Sequence, residues 1–481
     1  MVTETRFSTG VRGLDGILGG GLIPKRAYLV RGGPGTGKST LGAHFAAAGA
    51  ALGEPTLIIT LEESEEQLAA DARSMGIDLG AVEFLDASES ATSFTEEQTY
   101  DLFLPAEVER APITKRIIES IERLRPQRVI IDSMSRFRML ATNAAVFRKQ
   151  AVSLLHYLLD KGATVLMVSE ALTETYDYDL CFMADGLITL ESTDVGRFVR
   201  VDKVRGSAFA HGRHALRLGS GGMEVFPRLI PGDHVRVFEP TALPSGIETL
   251  DAMLEGGIEH GLVTMISGPS GVGKTTLAMQ FVLSAVQRGE KVAVFSFEEP
   301  TAMLLRRCRQ VGMDIDPFLV DGTLVVHEIE PLRLSSDELA SLLVTEFERD
   351  SRSVIVVDSI AAYKLALRGD DLVERLHAVC RFMRNMGATV VLVNEISALG
   401  QGLKFTDAGI SHLADNLLYL TYFERLEQDG LHIGRTISVI KTRVSAHSEE
   451  VYELLITSDG LLDRGPVDAR GFVEGSVRSG G

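Results

Sequence analysis

The chain has 481 residues, 45% apolar and 24% charged, a composition suited to soluble globular domains. Its formal net charge of −18, with no Lys/Arg run to offset it, gives a surface that repels phosphate backbones and argues against a DNA motor. No apolar run approaches the ~18 residues that span a bilayer, and the start MVTETRFSTG lacks the pattern of a secretory signal.

In chain order, RAYLVRG is a strand leading into the Gly-rich loop GGPGTGKST (Gly32 to Thr40), and STLGAHFAAAGAAL is the helix after it. TLIITLEE is a second strand, and SEEQLAADARSMG a helix capped at Ser64. RVIIDSMS and GATVLMVSE are two further buried strands. The second half repeats the series as VTMISG, GPSGVGKTT (Gly268 to Thr276), TTLAMQFVLSAVQ, KVAVFSFEE, SVIVVDSI and GATVVLVNE. Alternation of this kind predicts mainly parallel sheets flanked by helices. Between the halves, a stretch with four prolines reads as a linker near 227–244. The tail after Leu462 has little apolar content and is expected to fray. The three cysteines, Cys181, Cys308 and Cys380, fit neither a disulfide framework nor zinc spacing, so a reducing cytoplasm is expected.

The repeat holds one register. Lys38 and Lys274 are 236 positions apart, and the same offset carries Asp15 onto Asp251, Glu62-Glu63 onto Glu298-Glu299, and Asp78 onto Asp314. Such a register marks an internal duplication and predicts two tandem α/β P-loop domains, 1–232 and 233–481.

Each copy carries the same phosphate-handling parts. The pattern GxxxxGK[ST] between a strand and a helix lets backbone N–H groups turn around phosphates, with the helix N-terminus adding its positive end. The ATP-binding residues expected from it are Gly33, Gly35, Thr36, Gly37, Lys38, Ser39 and Thr40, and Ser270, Gly271, Val272, Gly273, Lys274, Thr275 and Thr276. Ser39 and Thr275 stand where a hydroxyl holds Mg²⁺, with Asp132 and Asp358 at the ends of their strands as the supporting acids. The residue after each Asp is Ser133 or Ser359, so the carboxylate that orients water must come from elsewhere. Glu62, Glu63, Glu298 and Glu299 follow their lysines by 24 or 25 residues, where strand ends converge on the nucleotide. They also suit the first turn of the next helix by dipole. Lys203-Val-Arg205 and Lys441-Thr-Arg443 put two cations on one side of a strand. They read either as the solvated edge of a sheet or as groups reaching a neighbouring subunit's γ-phosphate.

This set resembles the KaiC family of circadian-clock ATPases and autokinases, within the RecA-like P-loop superfamily. The residues that carry the likeness are the two P-loops, both Glu-Glu pairs, VIIDS and VVVDS, and the KVR and KTR triplets, from about Phe7 to Asp463. The resemblance implies a homo-oligomer, a hexamer of two stacked rings. It implies ATP between subunits with Lys203, Arg205, Lys441 and Arg443 acting in trans, and the first Glu of each pair as general base. It further implies hydrolysis in the first ring, Ser/Thr autophosphorylation in the second, and protein signalling partners. Kinases of this family carry adjacent Ser-Thr phosphorylation sites; here the pair reads Ser411-His412, in a segment five residues longer than its counterpart in the first copy. Ser411 offers a hydroxyl acceptor and also suits the N-cap of a helix over HLADNLLYL; Thr406 is a nearby hydroxyl. Against the resemblance, the segment after Leu462 is expected to hold little of the family's extended C-terminal peptide. Two other functions compete with an ATPase-autokinase. A RecA-type DNA motor is disfavoured because ALTETYDYDL and ALGQGLKFTDAG contain one Lys and lack aromatic-basic interleaving. A nucleotide-gated scaffold ring ranks lower because both Glu-Glu pairs are intact.

Overall fold

Runs such as TLIIT, RVIID and VAVFS are buried at every residue, as strands covered by helices on both faces must be. The computed structural model describes residues 6–88, 106–139, 141–170, 178–239, 241–350, 352–367, 372–396, 410–427, 430–443, 447–458 and 460–467. The chain divides into two units, Met1–Arg228 and Leu229–Gly481.

In unit 1 the strands are β1 (Ala27–Gly32), β2 (Thr56–Thr60), β3 (Glu83–Asp86), β4 (Arg128–Asp132), β5 (Thr164–Glu170), β6 (Gly186–Thr193), β7 (Gly196–Val204), β8 (Arg213–Gly219) and β9 (Gly222–Phe226). They form one sheet in the order β3-β2-β4-β5-β1-β6-β7-β8-β9, parallel as far as β6 and antiparallel beyond it. In unit 2, β10 (Ala242–Leu243) and β11 (Ile258–Glu259) make a small antiparallel pair. The large sheet consists of β12 (Val263–Gly268), β13 (Val292–Ser296), β14 (Leu324–Glu328), β15 (Val354–Asp358), β16 (Thr389–Glu395), β17 (Asn416–Glu427), β18 (Gly430–Lys441), β19 (Tyr452–Thr457) and β20 (Gly460–Pro466). Its order, β14-β13-β15-β16-β12-β17-β18-β19-β20, repeats the first. These are two tandem RecA-like P-loop domains.

Alternate strand residues build a core on each face. In unit 1, Tyr28, Val30, Ile58, Ile130 and Leu166 pack toward the P-loop helix Lys38–Ala51. Leu29, Val129, Ile131, Val165 and Met167 pack with Phe147, Leu155 and Leu158 of helix Ala144–Asp160 on the other face. Unit 2 divides in the same way between Ile266, Val294 and Val356 and Met265, Phe295 and Val357. Each such side chain contributes about 1.5–3 kcal/mol through burial. Among the buried charges, Arg128 of unit 1 is fully enclosed: it bonds Glu54 at 2.6 Å and the carbonyls of Ser8 and Phe45, with its guanidinium over the Phe7 and Phe45 rings. Gly49 makes room for it, since a Cβ there would meet Arg128 Cδ at 2.4 Å. Unit 2 has Ala285 and Val354 at the matching places and buries both.

Several expectations are corrected. The Lys-x-Arg strands are not sheet edges: β7 pairs with β6 and β8, and β18 with β17 and β19, because the chain continues into the hairpins β8-β9 and β19-β20. The segment after Ser411 is not a helix. Ile410–His412 is a single 3₁₀ turn, and NLLYL opens β17, whose pairing with β12 and β18 overrides a helical pattern. The tail does not begin at Asp463, since β20 pairs with β19 as far as Pro466; residues 468–481 lie outside the described ones. The proline-rich stretch docks on unit 2 through Asn385, which donates to the Pro231 carbonyl and accepts from Arg236 N–H. Among the described residues, no helix is long and apolar enough to cross a membrane.

Candidate functional site

Each P-loop joins the central strand of its sheet to the helix behind it. The helices Lys38–Ala51 and Lys274–Gln287 begin at the P-loop lysines, and their N-caps Gly37 (φ 98°) and Gly273 (φ 111°) hold left-handed backbone that favours glycine. A Cβ on Gly273 would also stand 2.7 Å from Ile456 Cδ1, and one on Gly37 2.9 Å from Met223 Cε. Inside the first loop the opposite holds: a Cβ on Gly33 or Gly35 would meet no protein atom within 4 Å, so this backbone is open to close approach by a phosphate. Lys38 Nζ donates to the Gly33 carbonyl and Lys274 Nζ to the Pro269 carbonyl, each at 2.8 Å. Burial pushes both amines below the usual lysine range, and acids around them push back: Glu170, Asp132 and Glu62 for Lys38, and Glu395, Asp358 and Glu298 for Lys274. Thr36 is buried with its hydroxyl on Gly33 O, Thr40 turns toward Met75, and Thr276 is buried. Ser270 O and Gly271 lie beneath Tyr422. Val272 is a core side chain, so only its backbone is available to a ligand.

Behind the lysine, Thr275 Oγ1 donates to Asp358 Oδ2 at 2.8 Å, and in unit 1 Ser39 stands close enough to Asp132 to favour its charged form. Burial raises the pKa of both aspartates. The hydroxyl and carboxylate hydrogen bonds lower that shift, Ser39 for Asp132 and Thr275 for Asp358, and nearby Glu62 or Glu298 adds to it. An all-oxygen set of this kind matches a hard divalent cation such as Mg²⁺.

The paired glutamates sit just past β2 and β13, not within them. The parallel register pairs Thr60 with Asp132 and Ser296 with Asp358. It continues one step further through Leu61 N–H to Asp132 O and Phe297 N–H to Asp358 O, both 2.8 Å. This brings Glu62 to Ser133, whose Oγ donates to it at 3.0 Å, and Glu298 to Ser359, which donates to it likewise. The peptide bonds Asp132–Ser133 and Asp358–Ser359 are both cis. Glu62 and Glu298 are exposed toward the site, while Glu63 and Glu299 are half-buried. Ser64 caps the helix Glu65–Ser74 by accepting from Gln67 N–H, so Glu62 and Glu63 precede that helix rather than serving its first turn.

The Lys-x-Arg pairs fold onto the stretch before β6 and β17. Lys203 Nζ donates to the Cys181 and Ala184 carbonyls at 3.0 and 2.6 Å, and Arg205 pairs with Asp185 at 3.4 Å. Lys441 Nζ donates to the Ala414 carbonyl at 2.6 Å, and Arg443 pairs with Asp415 at 2.9 Å. Counting back from Asp185 and Asp415, Cys181 occupies in unit 1 the place of Ser411 in unit 2. Thr406 and most of the longer second-copy segment lie outside the described residues.

Two residues escaped sequence reasoning. Glu170 and Glu395 end β5 and β16, in register with Gly32 and Gly268 at the mouth of each P-loop, and Glu395 Oε2 lies 3.7 Å from Lys274 Nζ. Their recurrence as the last residue of both GATV strands was the available signal.

A doubly written P-loop on the central strand of a RecA-like sheet, with its hydroxyl-Asp pair and a serine-held glutamate, defines a tandem P-loop ATPase. The family model for the KaiC ATPase matches residues 7–230 and 243–462. The chain belongs to the KaiC ATPase family. It is 27% identical to a circadian clock oscillator protein KaiC of Prochlorococcus marinus, over 95% of this chain and 91% of that protein. It is 28% identical to the KaiC of Thermostichus vulcanus and 27% to that of Synechococcus elongatus, over 95% of this chain and 88% of each.

Proposed function

We propose that both units bind and hydrolyse ATP and that unit 2 also phosphorylates Ser411 of its own kind of chain, in a homo-hexameric ring in the cytoplasm that serves a regulatory or signalling role. The observation that supports this reading best is a repeated one. A P-loop lysine, a hydroxyl beside a buried Asp, and a Glu held by the Ser that follows that Asp recur around the same strand ends in both units.

In this reading the cradles at Gly33–Thr40 and Ser270–Thr276 bind the triphosphate, with Lys38 and Lys274 leaving their carbonyl partners for the β- and γ-phosphates. Ser39 and Thr275 would hold Mg²⁺, which neutralises charge on the phosphate oxygens when bound. Glu62 and Glu298, turned by Ser133 and Ser359, accept a proton from water as its oxygen bonds to the γ-phosphorus and the bond to the β–γ bridging oxygen breaks, releasing ADP. In autophosphorylation the Ser411 hydroxyl replaces water as nucleophile. Lys203, Arg205, Lys441 and Arg443 serve the neighbouring subunit's nucleotide; the exposure of Arg205 and Arg443, about half of each side chain, suits that role. The acidic net charge speaks for protein partners rather than DNA.

Incubation with γ-labelled ATP, followed by phosphosite mapping and phosphate-release measurement, tests the proposal. Label on Ser411, lost in Ser411→Ala and in Glu298→Gln, supports the kinase. Phosphate release without label on the chain leaves an ATPase that does not phosphorylate itself.

A further inference from the structure

Of the differences between the two units beside their paired glutamates, one reverses a charge that faces the second glutamate. The helix after the pair is Glu65–Ser74 in unit 1 and Thr301–Gln310 in unit 2, and the offset of 236 matches the two end to end. On that helix Asp71 in unit 1 stands where unit 2 has Arg307. Arg307 forms an ion pair with Glu299 and acts through its charge on Asp358. The carbonyl of the second glutamate is held in both units, Glu299 by the Ser296 hydroxyl at 2.7 Å and Glu63 by the Thr60 hydroxyl, so the units differ at the carboxylate, which Arg307 holds in unit 2. Asp71 offers Glu63 repulsion instead. Both line a cavity of about 100 Å³ that also contains Ser39 and Thr40 of the P-loop helix, so the Glu63 side chain borders open space next to the phosphate-handling hydroxyl. Glu62, a residue away, is the carboxylate that Ser133 holds.

We infer that position 71/307 decides how many of the paired glutamates can serve phosphoryl transfer: Arg307 restricts unit 2 to Glu298, whereas Asp71 leaves unit 1 with both Glu62 and Glu63. An Arg–carboxylate pair is a charge-assisted bond that fixes orientation as well as charge, and a like-charged neighbour cannot supply either. Arg307 is a positioning residue, since it acts through Glu299. The inference rests on the reading of both units as ATPases, and it adds a difference in task between them that the matching P-loops do not contain.

Single-turnover phosphate release by the full chain tests it, with Lys38→Ala isolating unit 2 and Lys274→Ala isolating unit 1. In unit 2, Glu298→Gln is expected to slow release by ~100-fold or more and Glu299→Gln by less than ~3-fold. Adding Arg307→Asp or Arg307→Gln to Glu298→Gln recovers ~10-fold through Glu299, while Arg307→Lys, which keeps the pairing charge, recovers nothing. In unit 1, Glu62→Gln alone costs no more than ~10-fold, and adding Asp71→Arg brings the loss to ~100-fold. A purely structural Arg307 could not rescue a missing base. The inference is overturned if neither Arg307 variant, melting cooperatively, rescues Glu298→Gln, or if Glu62→Gln alone is as damaging as Glu298→Gln. If no glutamate variant slows release in either background, the glutamate-base reading fails first and takes the inference with it.

Discussion

Ser133 donates its hydroxyl to Glu62 at 3.0 Å, and Ser359 donates to Glu298 in the matching place. The serine directly follows the buried strand aspartate, the position where many P-loop ATPases carry their base, and it holds the glutamate proposed as base, which lies just past the adjacent strand. Ser359→Ala in the Lys38→Ala background is expected to slow phosphate release by ~10-fold, with Ser359→Thr retaining most of the rate. Because Ser359 also caps helix Ile360–Ala366, the Ala variant should lose ~1 kcal/mol of unfolding free energy in denaturant titration.

Asp132 and Asp358 have raised pKa values because burial disfavours their charged forms. A carboxyl whose folded pKa lies above its unfolded value binds more protons when folded, so its contribution is fully present below the unfolded pKa and is lost as pH rises through the folded pKa. Asp132→Asn and Asp358→Asn remove carboxyls whose charged form burial disfavours. Their melting temperatures without nucleotide should exceed that of the parent at about pH 7.5, and the gain should shrink as pH falls toward about 4.

The three thiols differ in reactivity by burial. The Cys308 thiol is pushed up to about 11 and the Cys380 thiol to about 12, both by desolvation, so at about pH 8 neither supplies thiolate. Cys181 is half-buried. A thiol-reactive chromophore applied to the native chain at about pH 8 should label Cys181 first, leaving Cys308 and Cys380 until denaturant is added; equal labelling of all three would contradict this burial pattern.

Glu395 stands 3.7 Å from Lys274 and is expected to compete for it with the phosphate proposed to bind there. Glu395→Gln removes a negative charge from the mouth of the second P-loop. In the Lys38→Ala background it should lower the Kd for ATP by ~5-fold at low salt, with a smaller gain at high salt.

The parts of the site that were legible share one property: they recur in both halves, the lysines and glutamate pairs at an offset of 236 and the strand aspartates at 226. Lys38 and Lys274, Asp132 and Asp358, and the glutamate pairs needed no structure to be paired with each other. What recurrence could not reveal was proximity. Glu170 and Glu395 end strands as many solvated glutamates do, and only their register with Gly32 and Gly268 sets them at the P-loop. Asp71 and Arg307 looked like ordinary polar residues of an amphipathic helix until the fold turned that face toward the second glutamate. In the fold, the parallel strands were readable from buried apolar runs. The β8-β9 and β19-β20 hairpins were not, because RHALRLG and GLLDRGP mix polar and apolar residues without a dominant period. The same ambiguity made NLLYL look helical, and sheet pairing decided otherwise.

Both phosphate sites are proposed to turn over ATP. Steady-state phosphate release by Lys38→Ala, Lys274→Ala and the double variant measures this most directly. Each single variant should keep a distinct part of the parental rate, the two parts should sum to roughly the whole, and the double variant should fall by ~100-fold or more. A double variant that retains the parental rate, or a single variant that abolishes all release while still binding ATP at the intact site, would contradict it.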